Sequence, residues 1–332
     1  MFLLRFDMRA PASSPTASAD LYQAAIEMAA WAETQGCFLT VICEHHGSPD
    51  GYLPSPLTLA AAMAARTTTL PIQIGALLAP LYDPLRLAED MAVLDIISRG
   101  RVSYVLGIGS RPVEYDLLGR SRKARGKRLE EIVAILRSAW TGESFEVDGH
   151  PAQVTPRPYS EDGPVMLMGG GTRAAATRAA TLDIGLFAQG GGPQLEAFYR
   201  AECARFGREP RDCMIPPEGI ITSAFVAEDP DRAWRDMGQY LLHDSMMYAS
   251  WWKESRLASV SRSDATTVDE LRAQGGPYAI LTPAEAIEYI ATNFVLPMQP
   301  LCGGMPPALA WRSLELLAER VLPAVAQRAG GT

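Results

Sequence analysis

The strongest constraint on the fold is an alternation of short, continuous apolar runs with amphipathic segments of helical periodicity. The apolar runs predict strands at 2–6, 38–43, 72–79, 101–108, 165–168, 184–188, 220–226 and 294–301. The periodic segments predict helices at 19–35, 56–66, 85–97, 172–181, 195–206, 231–248 and 311–326. About eight βα units in one chain favour a (β/α)8 TIM barrel over the alternative, an open doubly wound sheet.

Two polar segments interrupt this rhythm. Residues 141–163 are rich in Gly and Pro and predict an insertion after the fourth βα unit, with room for a small hairpin. Residues 251–279 begin with Trp251-Trp252, turn polar and predict a lid-like loop after the seventh strand. No linker separates the units, so we expect a single domain over 1–332.

The charge balance excludes some partners. Lys and Arg number 30 against 38 acidic residues, and a formal charge of −8 disfavours nucleic acid and anionic membrane surfaces. No apolar run approaches the roughly 18 residues of a membrane span. The five cysteines form no CxxC pair, which disfavours a disulfide framework or zinc knuckle. With no export signal at the N-terminus, we expect a cytoplasmic protein.

The second predicted strand ends in Glu44-His45-His46. In parallel α/β proteins, catalytic side chains lie at the carboxyl ends of strands. Two histidines that are adjacent on a strand point to opposite faces, so this spacing disfavours a shared metal ion. Two interpretations stay open: a histidine that acts as an acid or base, and hydrogen-bonded residues at a strand end.

Glycine-rich turns follow two other predicted strands. Gly169, Gly170, Gly171 and Thr172 precede a helix, where backbone N–H groups can hold a phosphate; a tight strand-to-helix turn is the alternative. The turn Gly107-Ile108-Gly109-Ser110-Arg111 leaves room for a flat ligand, and Arg111 is a candidate partner for an anion. A third turn, Gly190-Gly191-Gly192-Pro193, contains no hydroxyl residue and is a weaker candidate.

Taken together, these motifs resemble the bacterial luciferase-like flavin-dependent oxidoreductases. The resemblance covers almost the whole chain and rests on motifs in the family's order: Glu44-His45-His46, Asp83–Asp90, Leu94–Arg101, Gly107–Pro112, Pro164–Gly171, Ser313–Leu317 and Val321–Pro323.

The resemblance implies a (β/α)8 barrel that holds reduced FMN or, alternatively, coenzyme F-420. It implies that His45 is the active-site histidine. The residues matched to the cofactor site are Gly75, Ala76, Gly107, Gly109, Ser110, Gly169, Gly170, Gly171 and Thr172. Many members have a non-proline cis peptide at the place of Gly75-Ala76. In the luciferase catalytic subunit, an arginine that helps hold the phosphate occupies the position of Ser110. This chain has an arginine one residue later, so phosphate contact by Arg111 is not expected to carry over.

Three functions follow from the resemblance. The first is a monooxygenase that takes reduced FMN, molecular oxygen and a small organic substrate, with a separate flavin reductase as partner. The second is F-420-dependent hydride transfer on the same fold, and the third is a non-catalytic flavin-binding subunit, which retention of His45 disfavours. The family also implies a homodimer. The aromatic and methionine-rich stretch at 234–252 predicts either core packing or an apolar substrate pocket.

Overall fold

A computed structural model describes residues 1–217, 219–255 and 260–330. The strands are β1 Phe2–Phe6, β2 Leu39–Ile42, β3 Ile72–Leu77, β4 Val102–Leu106, β5 Phe145–Val147, β6 His150–Ala152, β7 Val165–Gly169, β8 Gly185–Phe187, β9 Cys213–Met214, β10 Ser223–Val226, β11 Tyr278–Leu281 and β12 Leu296–Met298. The helices are α1 Ser18–Thr34, α2 Pro56–Arg66, α3 Pro84–Ser98, α4 Pro112–Leu117, α5 Arg125–Trp140, α6 Arg173–Leu182, α7 Gly192–Arg205, α8 Pro230–Ser255, α9 Val268–Ala273, α10 Pro283–Asn293, α11 Pro307–Leu316 and α12 Leu322–Gly330.

The chain forms two compact units. The first contains residues 1–41, 48–53 and the described residues from Gly219 onward; the second contains 42–47 and the described residues from Pro54 to 217. The division falls within β2, so neither unit is one continuous piece of the sequence.

In the first unit, parallel strands lie in the order β11-β10-β12-β1. Strand β1 is apolar and largely buried, and its residue Phe2 pairs with Leu296 of β12. The long helix α8 contributes Trp234, Tyr240 and Leu241 to a buried apolar cluster with β10 and β11. Core packing therefore accounts for part of the aromatic stretch at 234–252.

In the second unit, parallel strands lie in the order β3-β4-β7-β8-β9. Leu106 at the end of β4 pairs with Met168 near the end of β7. The turns Gly107–Arg111 and Gly169–Thr172 therefore leave neighbouring strands at the same edge. This edge is where a parallel α/β fold places ligands.

Two helices of the second unit, α4 and α5, were not predicted from the sequence. The short helix α4 begins with Pro112 directly after the β4 turn, and α5 follows from Arg125. Proline suits the first turn of a helix because the backbone N–H groups there have no partner within the helix, so the N–H that proline lacks costs no hydrogen bond. The predicted insertion contains an antiparallel pair, β5 and β6, with Val147 opposite His150.

The predicted lid at 251–279 contains regular structure as well as turns. Trp251 belongs to the last turn of α8 and is buried, and α9 and β11 lie farther along the segment. The polar composition that predicted a loop is explained in part by α9, whose helix is capped by Thr267. Residues 256–259 lie outside the described part of the chain. No helix in the described ranges is long and apolar enough to cross a membrane.

The first unit also encloses a buried ionic cluster centred on Arg9. Its guanidinium contacts Asp50 at 2.6 Å and Asp244 at 2.7 Å, and it lies 4.5 Å from the ring centres of both Tyr52 and Trp251. Arg9 is fully buried, and such a charge is stable only when it is paired. The cluster ties the end of β1 to residues 48–53 and to α8.

Asp7 lies in the same cluster and accepts a hydrogen bond from Gln299 Nε2 at 2.8 Å. Burial, together with the charge of Asp244, raises the pKa of Asp7 to about 7 despite the nearby Arg9. Asp50 differs, because the hydrogen bond from His243 and the charge of Arg9 outweigh its burial and lower its pKa. Asp50 is therefore the ionised partner that Arg9 requires.

Candidate active site

His45 is held by a carboxylate from a different part of the second unit. Its Nδ1 lies 2.7 Å from Oε1 of Glu114, which is on α4 and is fully buried. Burial favours the neutral acid, but the hydrogen bond and charge of His45 outweigh it and lower the pKa of Glu114. An ionised Glu114 accepts the Nδ1 hydrogen, and a neutral ring then has its basic lone pair at Nε2. This is the arrangement of a carboxylate-oriented general base.

Arg111 supports the same carboxylate. Its Nη1 donates to the carbonyl oxygen of His46 at 3.1 Å and lies 3.4 Å from Glu114 Oε1. The arginine is buried, and it directs a positive charge at Glu114. The arginine that stands one residue after Ser110 thus contacts Glu114, the carboxylate that binds His45.

Glu44 and His46, which had no predicted role, form a second pair. His46 Nε2 lies 2.9 Å from Glu44 Oε1, and the same oxygen accepts the hydroxyl of Tyr82 at 2.5 Å. Burial disfavours the charged ring, but the hydrogen bond and charge of Glu44 outweigh it and raise the pKa of His46. Glu44 Oε2 accepts the backbone N–H of Leu78 at 2.6 Å, so the buried carboxylate fixes the chain just after β3.

Strand β3 contains a cis peptide bond between Gly75 and Ala76, as the resemblance implies. A Cβ atom on Gly107 would lie 3.0 Å from the Cβ of Ala76, and Gly107 N–H donates to the carbonyl of Leu77 at 2.8 Å. The close approach of β3 and the β4 turn therefore favours a glycine at 107.

The β4 turn continues through Gly109 and Ser110. Gly109 has a φ of +63°, and the hydroxyl of nearby Tyr115 donates to the carbonyl of Ile108 at 2.5 Å. The Ser110 hydroxyl oxygen is buried and has no hydrogen-bond partner among the described residues. A buried polar atom without a partner costs free energy, which a bound polar ligand offsets.

The second glycine turn lies at the start of α6. Gly170 has a φ of +138°, and its N–H donates to the carbonyl of Phe187 at 2.9 Å. A Cβ atom on Gly171 would lie 2.9 Å from the carbonyl oxygen of Gly190, so this turn packs against the turn at 190–193. Close packing therefore explains part of the glycine content. Gly171 and Thr172 are nevertheless exposed, which leaves the start of α6 accessible.

Thr172 caps α6. Its Oγ1 accepts the backbone N–H of Ala175 at 3.2 Å, which leaves the hydroxyl hydrogen available as a donor. The structure thus brings Gly107, Gly109, Ser110 and the 169–172 turn to one edge of the second unit. Sequence reasoning missed Glu114; the only signal for it is a carboxylate that closely follows the Gly107–Arg111 turn, which was already a candidate site.

Comparison with known proteins identifies the family. The family model described as luciferase-like monooxygenase matches residues 1–293, so this chain belongs to the luciferase-like monooxygenase family. Over 131 residues the chain is 30% identical to the oxygenase component of the flavin-dependent trigonelline monooxygenase of Acinetobacter baylyi, covering 39% of this chain and 36% of that protein. Over 175 residues it is 26% identical to the N-acetyl-S-alkylcysteine monooxygenase of Bacillus subtilis, covering 50% of each. The chain thus spans at most half the length of these two relatives.

Solved structures resemble nearly the whole chain. Monooxygenase RslO1 of Streptomyces bottropensis superposes with a TM-score of 0.74 at 24% identity, covering 98% of this chain and 99% of that one. A second solved structure, in complex with FMN, is the oxygenating constituent of the 3,6-diketocamphane monooxygenase of Pseudomonas putida. It superposes with a TM-score of 0.68 at 19% identity, covering 96% of this chain and 99% of that one. At this identity the likeness shows the fold alone, and the predicted α/β class of the TIM-barrel kind is confirmed.

Proposed function

We propose that this protein is a reduced-FMN-dependent monooxygenase that acts on a small organic substrate with molecular oxygen. The observation that carries the proposal is the His45–Glu114 pair, a buried carboxylate on an imidazole at a strand end. Family membership and the FMN bound to one solved relative support it.

The residues of the second unit fit a flavin phosphate. The unpartnered Ser110 hydroxyl and the accessible N-terminus of α6, with Gly170, Gly171 and Thr172, offer donors to an anion. Gly75, Ala76, Gly107 and Gly109 would border the ring, since small residues let a flat group approach the backbone. Reduced flavin, when bound, supplies the electrons with which molecular oxygen is activated.

In this mechanism, His45 is the acid–base residue. Glu114 holds Nδ1, so that Nε2 takes a proton from the reacting species or returns one to it. Arg111 adds a positive charge beside Glu114, and Glu44 fixes the backbone at Leu78 beside the ring site. The surrounding apolar side chains would exclude water from the site. Leu78 and Leu81, which pack on Tyr115, are among them.

Coenzyme F-420 is the alternative cofactor, because it also presents a phosphate and a tricyclic ring to the same turns. The test is an anaerobic titration with reduced FMN and with reduced F-420, followed by oxygen uptake. Saturable FMN binding, together with an oxygen-consumption rate of the complex that differs from that of free reduced FMN, supports the proposal. Binding of F-420 alone without oxygen consumption would replace it with hydride transfer.

We also propose a homodimer and a separate flavin reductase. The reductase is suggested by the trigonelline relative, which is named as an oxygenase component. Sedimentation velocity would test the dimer, and a mass near the 35.9 kDa of one chain at all concentrations would reject it. Turnover with chemically reduced FMN but not with FMN and NADH would support a separate reductase.

A further inference from the structure

A strongly basic segment lies between α4 and α5 in a chain that is otherwise acidic. Six of the nine residues 120–128 are Arg or Lys, and no acidic residue occurs from 117 to 129, although the whole chain has a formal charge of −8. Exposed cations are usually balanced by nearby carboxylates. This segment lies next to the candidate site, which makes the imbalance relevant to function.

Most of these charges have no acidic partner. Lys127 Nζ lies 3.6 Å from Oε1 of Glu131, and Arg128 Nη1 lies 3.8 Å from Oε2 of the same residue. Arg120, Arg122, Lys123 and Arg125 form no ion pair with a carboxylate in the described ranges. The segment therefore presents a concentrated positive charge to solvent.

The helix that follows adds to this charge. The side chain of Ala124, at the N-cap of α5, cannot accept a hydrogen bond, and the first turn carries Arg125, Lys127 and Arg128 without an acidic residue. The N-terminal end of a helix has a partial positive charge and is stabilised by acidic residues. Basic residues at this position reduce helix stability, and an approaching anion relieves the repulsion.

The segment is anchored to the Ser110 turn and to helix α6. Arg122 Nη1 donates to the carbonyl of Ser110 at 3.0 Å, in the turn that contains the unpartnered hydroxyl. On the other side, Arg178 of α6 packs against Gly126, and its Nε donates to Glu130 at 2.8 Å. The basic charge therefore lies between the Ser110 turn and α6, the helix that Thr172 caps.

We infer that residues 120–128 are an electrostatic capture surface that draws the phosphate-bearing cofactor from solution toward the Ser110 and Thr172 turns. The inference rests on the proposed function and extends it to the kinetics of cofactor uptake. A surface of one sign raises association rates by about 10- to 1000-fold without altering contacts in the bound state. Rapid capture matters for a cofactor that must arrive reduced, because oxygen consumes it in solution.

The test uses three exposed cations. A capture variant carries Arg120→Gln, Lys123→Gln and Lys127→Gln, and a control variant carries Arg66→Gln, Arg235→Gln and Arg312→Gln, which are exposed cations elsewhere. Each set lowers the formal charge by three. Stopped-flow fluorescence measures association and dissociation of oxidised FMN over a range of NaCl concentrations, with riboflavin as a probe that lacks the phosphate.

We expect the capture variant to bind FMN about three- to tenfold more slowly than wild type at low salt, with an unchanged dissociation rate. The difference should vanish near 0.5 M NaCl, where the Debye length is only about 4 Å. The control variant and riboflavin should show no such loss. Equal FMN association rates in the two variants, or a change confined to dissociation, would overturn the inference and leave the proposed function standing.

Two further outcomes separate the alternatives. Wild-type protein that binds neither FMN nor F-420 would overturn the proposed function and the capture surface together. If the capture variant takes up free FMN normally but receives it slowly from a flavin reductase, the segment is a protein-docking surface and the inference is wrong.

Discussion

Glu114 Oε1 lies 2.7 Å from His45 Nδ1, although the two residues are 69 positions apart in the sequence. The contact exists because the turn after β4 leads directly into α4, which directs a buried carboxylate at the residues that follow β2. Its geometry fixes the hydrogen on Nδ1 and makes Nε2 the reactive nitrogen of the neutral ring. A histidine at a strand end thereby becomes an oriented acid–base residue.

Replacing Glu114 by Gln should make stability depend less on pH. Because the folded-state pKa of Glu114 lies below its usual value of 4.5, its stabilisation is present above pH 4.5 and is lost as pH falls through the folded pKa. At neutral pH the variant should be about 1–3 kcal/mol less stable. Urea denaturation at several pH values measures the difference.

The matched control for this prediction is Glu131→Gln, which removes a half-exposed carboxylate. It should change stability by less than about 1 kcal/mol. If the wild type and Glu114→Gln differ equally at pH 7 and pH 3, Glu114 is not ionised in the fold.

Replacing Thr172 by Val should weaken cofactor binding. The hydroxyl that caps α6 can also donate to an anion, and loss of a neutral hydrogen bond costs roughly 0.5–1.5 kcal/mol. Isothermal titration with FMN measures the change. Thr282→Val is the control, because Thr282 caps α10 in the same way and should lower only stability, by about 1 kcal/mol. Equal FMN affinity in both variants would place the phosphate elsewhere.

Adding one methyl group at Gly171 should disturb two turns at once. The new Cβ would lie 2.9 Å from the Gly190 carbonyl oxygen, so the turns must separate. We expect Gly171→Ala to destabilise the protein by about 1–3 kcal/mol and to weaken FMN binding. Gly190→Ala meets no atom within 4 Å and should be tolerated. Thermal melts with and without FMN test the pair, and identical melts would argue against this packing.

Replacing Arg9 by Met should strongly destabilise the first unit. The change keeps an unbranched side chain but leaves Asp50 and Asp244 buried without their cation. Removing one partner of a buried ion pair costs about 3–5 kcal/mol. Chemical denaturation measures the loss, with Arg235→Met, an exposed arginine of α8, as the control. A loss below about 1 kcal/mol would show that the aspartates are neutral or hydrated.

Much of the fold was predictable, because the apolar runs of β1 to β4 are buried and bounded by turn residues. The helix at 56–66 matches α2 to the residue, since Pro56 begins it and its apolar positions recur at helical spacing. Strand β11 was missed because four residues, Tyr278–Leu281, follow a polar segment that resembles a loop. Local composition does not reveal that its partner is β10, 55 residues earlier.

The candidate site was predictable only in part. His45 and the glycine turns stand out because a strand end and a helix start carry local signals. The partners of His45 do not, since Glu114 and Arg111 become neighbours only when α4 folds against the β2 end. The direction of Arg111 likewise depends on α4, which the sequence pattern did not predict.

The most direct test of the account is the reaction of the bound, reduced flavin with oxygen in wild-type protein and in His45→Ala. Stopped-flow absorbance records reoxidation of FMN after the anaerobic complex is mixed with oxygenated buffer, and His150→Ala, an exposed histidine of β6, is the control. We predict equal FMN affinity in all three proteins and a reoxidation rate changed about 100-fold or more only in His45→Ala. Reoxidation at the same rate in wild type, in both variants and in free flavin would contradict a role for His45 in flavin-dependent oxygen chemistry.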